Sequence, residues 1–189
     1  MMKNLFIAIR FKIFMLFLLG IFYPFLMTGL AQWVFPQQSN GNWIFVNGVR
    51  VGSSLIGQSF EKNEYFWSRP SAINFNPLPS GGSNLGQTTK DLKKLVEERK
   101  LKLKSLHPEQ AEEPPQDLLF ASGSGLDPHI SVEAALYQLK RVAHARNLDL
   151  EKVKILIEQF TEGRQLGLFG DPKVNVLSLN IALDNLNGK

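Results

Sequence analysis

Between Lys12 and Arg50 the sequence carries no charge, and its first part, Ile13 to Val34, is almost wholly apolar. A helix needs roughly 20 mostly apolar residues to cross a hydrocarbon core about 30 Å thick. Ile13–Val34 meets that length, with Ile13, Leu16 and Leu19 among its lipid-facing side chains. Trp33 stands where an interfacial anchor is expected, and Pro24 predicts a kink. Lys3, Arg10 and Lys12 precede the run, and no Lys or Arg follows until Arg50. That asymmetry predicts a cytoplasmic N-terminus and an external remainder. The rival is a cleaved signal peptide ending at Gly29-Leu30-Ala31, before Gln32. Signal h-regions run about 7–15 residues, whereas this run continues through Phe35. The reading is therefore a cytoplasmic basic tail at 1–12, an uncleaved anchor at 13–35 and an extracytoplasmic domain at 36–189.

Charge supports that division. The chain has 189 residues and a net charge of +4. All 17 acidic residues follow the apolar run, where 18 of the 21 basic ones also lie. The outer domain is thus nearly neutral. It lacks the basic patch of a nucleic-acid binder, and the expected non-protein contact is membrane lipid. There are no cysteines, which excludes disulfide stapling and thiolate metal sites.

Beyond the anchor, Pro36 to Asn42 reads as a polar linker. Trp43–Val46, Asn47-Gly48 and Val49–Val51 read as a β-hairpin, because both central positions of a type I′ turn need positive φ. Ser54–Gln58 extends its second strand. Asn74 to Gly86 is a long loop. Thr88 or Thr89 caps a helix to about Leu106, with Leu92, Leu95, Val96, Leu103 and Leu106 at helical spacing, and His107-Pro108 stops it. Asp117 to Ala121 is a short strand candidate, followed by a Gly/Ser turn at Ser122–Pro128. Ser131 caps a helix to about Arg146, with Val132, Ala135, Leu136, Leu139, Val142 and Ala143 inward. Asp149 caps another, ended by Gly163. Lys173–Val176 is a strand, and Leu177–Leu186 a last helix. Early strands and late helices predict an α+β fold.

Three stretches invite chemical readings. Gly123-Ser124-Gly125 resembles a nucleophile turn, but the elbow pattern needs a residue between each Gly and the Ser. It reads instead as a tight turn before the capped helix. Asp127-Pro128-His129, with Glu133 or His144, invites a metal site. Two ligands flanking a proline are no ligand set, and hydrogen bonding of the turn is the plainer reading. Ser80-Gly81-Gly82-Ser83-Asn84-Leu85-Gly86 has the composition of a phosphate cradle. No Gly-Lys-Ser/Thr follows it, so the P-loop signature is absent.

Taken in order, several motifs resemble one family. They are Gly52–Gln58 with Gly57-Gln58 at its end, and Tyr65–Ala72 with Arg69-Pro70. Then come Ser80–Gly86, Ala121–Ser131, Arg141-Val142-Ala143, Val174–Leu177, Leu179-Asn180 and Ala182–Asp184. The set resembles the KdpC subunit of the bacterial high-affinity potassium-transporting ATPase, across essentially the whole chain. The resemblance implies a small, single-span, non-catalytic accessory subunit without an intrinsic cofactor. It implies three partners: a channel-like potassium-binding subunit, a P-type ATPase subunit and a very small single-span subunit. It further implies that the subunit stabilises the complex and raises its affinity for ATP. The nucleotide role described for the family centres on a Gln and a Ser-Gly-Gly-type signature, for which Ser80–Ser83 is the nearest match. The motif positions Gly57, Gln58, Arg69, Pro70, Ser80, Gly81, Gly82, Ser83, Asn84, Gly86, Ser122, Gly123, Ser124, Gly125, Asp127, Pro128, His129 and Ser131 are the expected partner-interface residues. The charge reading puts Ser80–Gly86 outside, away from cytosolic ATP. A function from another class is a membrane-tethered extracytoplasmic hydrolase using Ser124.

Overall fold

The apolar run is helical, and the helix starts well before it. The computed structural model describes residues 2–186. Its first 33 residues from Met2 form one apolar helical stretch, built of α1 (Met2–Phe17), a π-helical turn (Leu18–Phe22) and α2 (Tyr23–Val34). At 1.5 Å per residue this is about 50 Å, more than a hydrocarbon core requires. The surplus is the segment bearing Lys3, Arg10 and Lys12, and no residue of α1 or α2 is buried. The irregularity expected at Pro24 takes the form of the π turn. A proline ring crowds the carbonyl four residues back, here that of Gly20. The turn around Gly20 widens, and the Tyr23 N–H reaches Leu18 O.

The stretch expected as a plain linker contains one helical turn, α3 (Pro36–Ser39). Proline suits the first helical position, where no N–H is needed. The hairpin is present as β1 (Trp43–Val46) and β2 (Val49–Ser53), antiparallel, with Val46 opposite Val49. Asn47 (φ 51°) and Gly48 (φ 77°) supply the two positive angles of its turn. The second strand stops at Ser53 rather than running to Gln58. Beyond it the backbone is engaged elsewhere: Asn175 Nδ2 donates to Ser54 O (2.8 Å), and Gly57 N donates to Leu126 O (2.7 Å).

The chain divides after Ser53 into two units. In the second, α4 (Lys90–Leu106) is capped by Thr89, whose Oγ1 accepts from Leu92 N at 3.4 Å. Of its apolar positions only Leu103 is fully buried. Gln116–Leu119, overlapping the Asp117–Ala121 span expected as a strand, is instead a helical turn, α5. Pro115 precedes it, and bonds from Leu118 N to Pro115 O (3.0 Å) and Phe120 N to Gln116 O (2.9 Å) close it.

β3 (His129–Ser131) runs directly into α6 (Val132–Arg146). Next come α7 (Leu150–Gln159), β4 (Thr161–Glu162), β5 (Lys173–Asn175) and α8 (Val176–Leu186). The three strands form an antiparallel sheet in the order β3-β5-β4, with Ile130 and Thr161 both paired to Val174. β3 and β4 are too short to leave a period in the sequence, and α7 ends four residues before Gly163 because β4 intervenes. Ser131 Oγ accepts from Ala134 N (3.0 Å) and Asp149 Oδ1 from Glu151 N (2.7 Å), as expected of helix caps. Asn147 ends α6 at φ 53°, and Leu148 N bonds back to Ala143 O (2.9 Å), a Schellman arrangement that asparagine tolerates.

The core joins Ile130 and Val174 of the sheet to Val142, Val153, Ile157, Leu179 and Leu183 of the helices, with Phe66 from a loop. Leu136, expected inward, is 40% exposed. Gln138 and Arg141 occupy the buried face of α6 instead. The reason lies in the aromatic segment Tyr65–Trp67, which belongs to no helix or sheet. Its backbone groups still require partners. Gln138 supplies them for Trp67, with N to Oε1 2.8 Å and Nε2 to O 3.2 Å. Asn180 does the same for Phe66, at 2.9 and 3.0 Å. Two side-chain amides thus stand in for neighbouring strands.

Candidate functional site

Glycine is the residue that lets two backbones touch, because a Cβ would otherwise stand between them. Three glycines of the motif series do this at one place. Gly57 lies against Leu126-Asp127, where an added Cβ would sit 2.5 Å from Asp127 O. Gly82 lies against Gly123, with 3.0 Å from the same imagined atom to Gly123 O. Gly125 has φ +69°, and a Cβ there would fall 2.5 Å from Ile73 Cγ1 and 2.8 Å from Gly81 O.

Hydrogen bonds complete the junction. Ser80 Oγ (2.9 Å) and Gly81 N (3.0 Å) both donate to Ser124 O. Ser122, itself buried, donates its N–H to Pro70 O (3.1 Å), and Gln58 O accepts from Ser68 Oγ (3.0 Å). Four segments that the sequence only placed in order are therefore brought together: Gly57-Gln58, Ser68–Ile73, Ser80–Gly82 and Ser122–Asp127. Ser83, Asn84 and Gly86 lead away from the junction into α4. Asn84 has φ 53°, and Gly86 O accepts from Thr89 N (3.0 Å) and Oγ1 (2.8 Å).

The charged centre of the junction is Arg69–Asp127, with Nη1 to Oδ2 at 3.0 Å. Asp127 Oδ1 also accepts from His129 N (3.0 Å). Burial works to raise the Asp127 pKa, but bonds from His129 and Arg69 outweigh it and hold the carboxyl below its ordinary value. Asp127 and His129 thus order the turn, as expected. Pro128 O accepts from Val176 N (3.0 Å), while Ser131 N donates to Asp117 Oδ2 (2.7 Å). The turn and the strand that follows it are tied in this way to the start of α8 and to α5.

What the arrangement does is hold backbone against backbone. Ser124 Oγ accepts from Leu126 N (3.1 Å), and no histidine bonds to it among the described residues. The His129 ring nitrogens stand 3.8 Å from Asp127 and 3.9 Å from Glu162, too far for hydrogen bonds. The hydrolase alternative finds no support in this geometry. Among the described residues no three His, Cys, Asp or Glu side chains gather as a metal set. The Ser80–Gly86 loop does not present a free cradle either, since its Gly81 N–H is already bonded to Ser124 O.

Sequence reasoning missed the polar clamp on the aromatic segment. Its residues are Gln138, Asn180, Arg141 and Arg146, the last bonded to Glu64 O (2.6 Å) and Asp184 Oδ1 (2.7 Å). The available signal was the place of Arg141, Asn180 and the Arg146 partner Asp184 inside the motifs Arg141-Val142-Ala143, Leu179-Asn180 and Ala182–Asp184, while Gln138 and Arg146 lie outside them.

One long apolar helix, followed by an α+β unit whose motif residues lock loops together, fits a membrane-associated protein. Comparison with known proteins makes this specific. The family described as "KdpC: K+-transporting ATPase, c chain" matches residues 5–185, and the chain belongs to that family. A potassium-transporting ATPase KdpC subunit of Methylococcus capsulatus is 50% identical over 170 residues, 88% of this chain and 90% of that protein. The one from Acidobacterium capsulatum is 46% identical over 188 residues, 98% of this chain and all of its own length. That from Synechocystis is 45% identical over 193 residues, with the same shares.

Proposed function

We propose that this chain is a non-catalytic accessory subunit of an ATP-driven potassium uptake complex. It has one uncleaved span, its N-terminus in the cytoplasm and residues 36–189 outside. It assembles with a channel-like potassium-binding subunit, a P-type ATPase subunit and a small single-span subunit. Membership of the KdpC family supports the complex, and the position of Lys3, Arg10 and Lys12 supports the orientation.

The observation that carries the assembling role is the loop between β4 and β5. Leu166 (90% exposed), Leu168 (75%) and Phe169 (63%) project from it. The loop is nonetheless ordered by its own bonds. Gln165 N and Phe169 O pair at 2.9 Å, and Arg164 meets Asp171 at 3.1 Å. An ordered apolar tip in water is a feature of interaction sites, and the preformed shape lowers the entropy cost of docking. A subunit docked in this way raises ATP affinity by favouring the binding-competent state of its partner, not by touching the nucleotide.

The test replaces all three tip residues by Ser. The variant chain is expected to melt in detergent as the parent does, yet to lose co-purification with the two larger subunits and potassium-stimulated ATP hydrolysis. Normal co-purification would overturn the reading. Orientation is checked separately with spheroplasts, where added protease is expected to digest the chain beyond Pro36.

A further inference from the structure

Two arginines of α6 have side chains turned inward, and they are treated differently. The Arg146 side chain, 3% exposed, meets the Asp184 carboxylate at 2.7 Å. Arg141, 8% exposed, forms no ion pair among the described residues. Its Nε donates to His107 Nε2 (3.1 Å), Nη1 to Asn63 O (2.6 Å) and Nη2 to Gln138 Oε1 (2.8 Å). The Trp67 ring lies 4.5 Å from the guanidinium. Every one of these partners is neutral. His107 is fixed as such, because its Nδ1 sits 2.7 Å from Leu103 O and carries the proton, leaving Nε2 bare toward Arg141.

A guanidinium has five N–H bonds. Three are used here, and one on each terminal nitrogen has no acceptor among the described residues. A buried charge held only by neutral groups is costly unless an opposite charge joins it. Burial alone draws the Arg141 pKa down to about 10, with no carboxylate counteracting it. Arg141 also lines a cavity of about 290 Å³, close to the lower end of the range for ligand pockets. Lys140 and His144, both exposed, share that lining, and Glu109 is its only acidic member.

We propose that this cavity is a binding site for a small oxyanion group, a carboxylate or a phosphate. The free N–H groups of Arg141 hold it, with Lys140 and His144 at the mouth. The planar fork of arginine pairs with two oxygens of either group. The site is separate from the loop junction and uses none of its residues.

The test uses the full chain in detergent near neutral pH, titrated with inorganic phosphate or with acetate at constant ionic strength against chloride. A ligand that binds only the folded state raises the melting temperature saturably. The expected result is such a rise with at least one of the two anions. A response to phosphate alone assigns the site to phosphate groups, and an equal or stronger one to acetate assigns it to carboxylates. In Lys140→Ala/His144→Ala, whose side chains are exposed and outside the core, the half-saturating concentration is expected to rise about tenfold or more. Arg141→Lys, which keeps the charge but loses the fork, should weaken binding as well. No saturable rise with either anion would overturn the proposal. So would a rise of unchanged midpoint in the Lys140→Ala/His144→Ala chain, which folds whether or not Arg141→Lys does.

Discussion

Two places in the second unit hold irregular backbone without a sheet, and they do it by opposite means. At the loop junction the backbones meet directly, because Gly57, Gly82 and Gly125 have no side chain to keep them apart. At the aromatic segment the partners are side chains, and Gln138 and Asn180 bond the backbone with their amides. The first solution depends on the absence of atoms. The second depends on long polar side chains whose burial is offset by good hydrogen bonds. The junction should therefore fail by steric collision and the clamp by unpaired polar groups.

The largest effect is expected at Gly125. Gly125→Val adds a side chain at φ +69°, into Ile73 Cγ1 and Gly81 O. Strain and overpacking together should cost about 3–5 kcal/mol, read as loss of melting temperature or of folded protein. The sharpening control is Gly123→Ala in the same turn. Nothing lies within 4 Å of the added methyl, so the change should stay within about 0.5 kcal/mol. Equal damage from the two would show that glycine acts there through flexibility rather than close approach.

Asn180→Leu tests the clamp. It keeps the volume roughly constant but leaves Phe66 N and O without their partners. Each unsatisfied buried group costs about 1–3 kcal/mol, so a loss of about 2–4 kcal/mol is expected in denaturant unfolding. A loss under about 0.5 kcal/mol would mean that the aromatic segment finds other partners.

A smaller effect links the clamp to pH. Burial first, and then the Arg141 charge, lower the His107 pKa, while the bond to Leu103 O opposes them. The folded pKa lies below the unfolded value of 6.5. As pH falls through 6.5 the unfolded chain takes up the proton first. This contribution to stability is therefore complete above pH 6.5 and declines as pH drops toward the folded pKa. His107→Gln should flatten melting temperature against pH in that window. An unchanged slope would assign it to other groups.

The sequence by itself determined everything that neighbouring residues decide. Absence of charge over a long apolar run makes the α1–α2 helix. Asn47-Gly48 sets the hairpin turn, Thr89, Ser131 and Asp149 mark helix starts, and Gly125 marks a backbone that no side chain suits. Much of the junction was legible for the same reason, since the residues that make it are small and lie in recognisable runs. Only the tertiary structure decided which polar side chains go inside. Gln138 is buried, and Leu136 beside it is 40% exposed, because Trp67, 71 residues away, presents two backbone groups to that face of α6. Likewise β3 and β4 exist through pairing with β5, not through any period of their own. α5 turns where a strand was expected because Pro115 and Gln116 carbonyls are there to close it. Local preferences act over one or two turns of chain, whereas hydrogen-bond satisfaction is settled by whatever backbone the fold brings alongside.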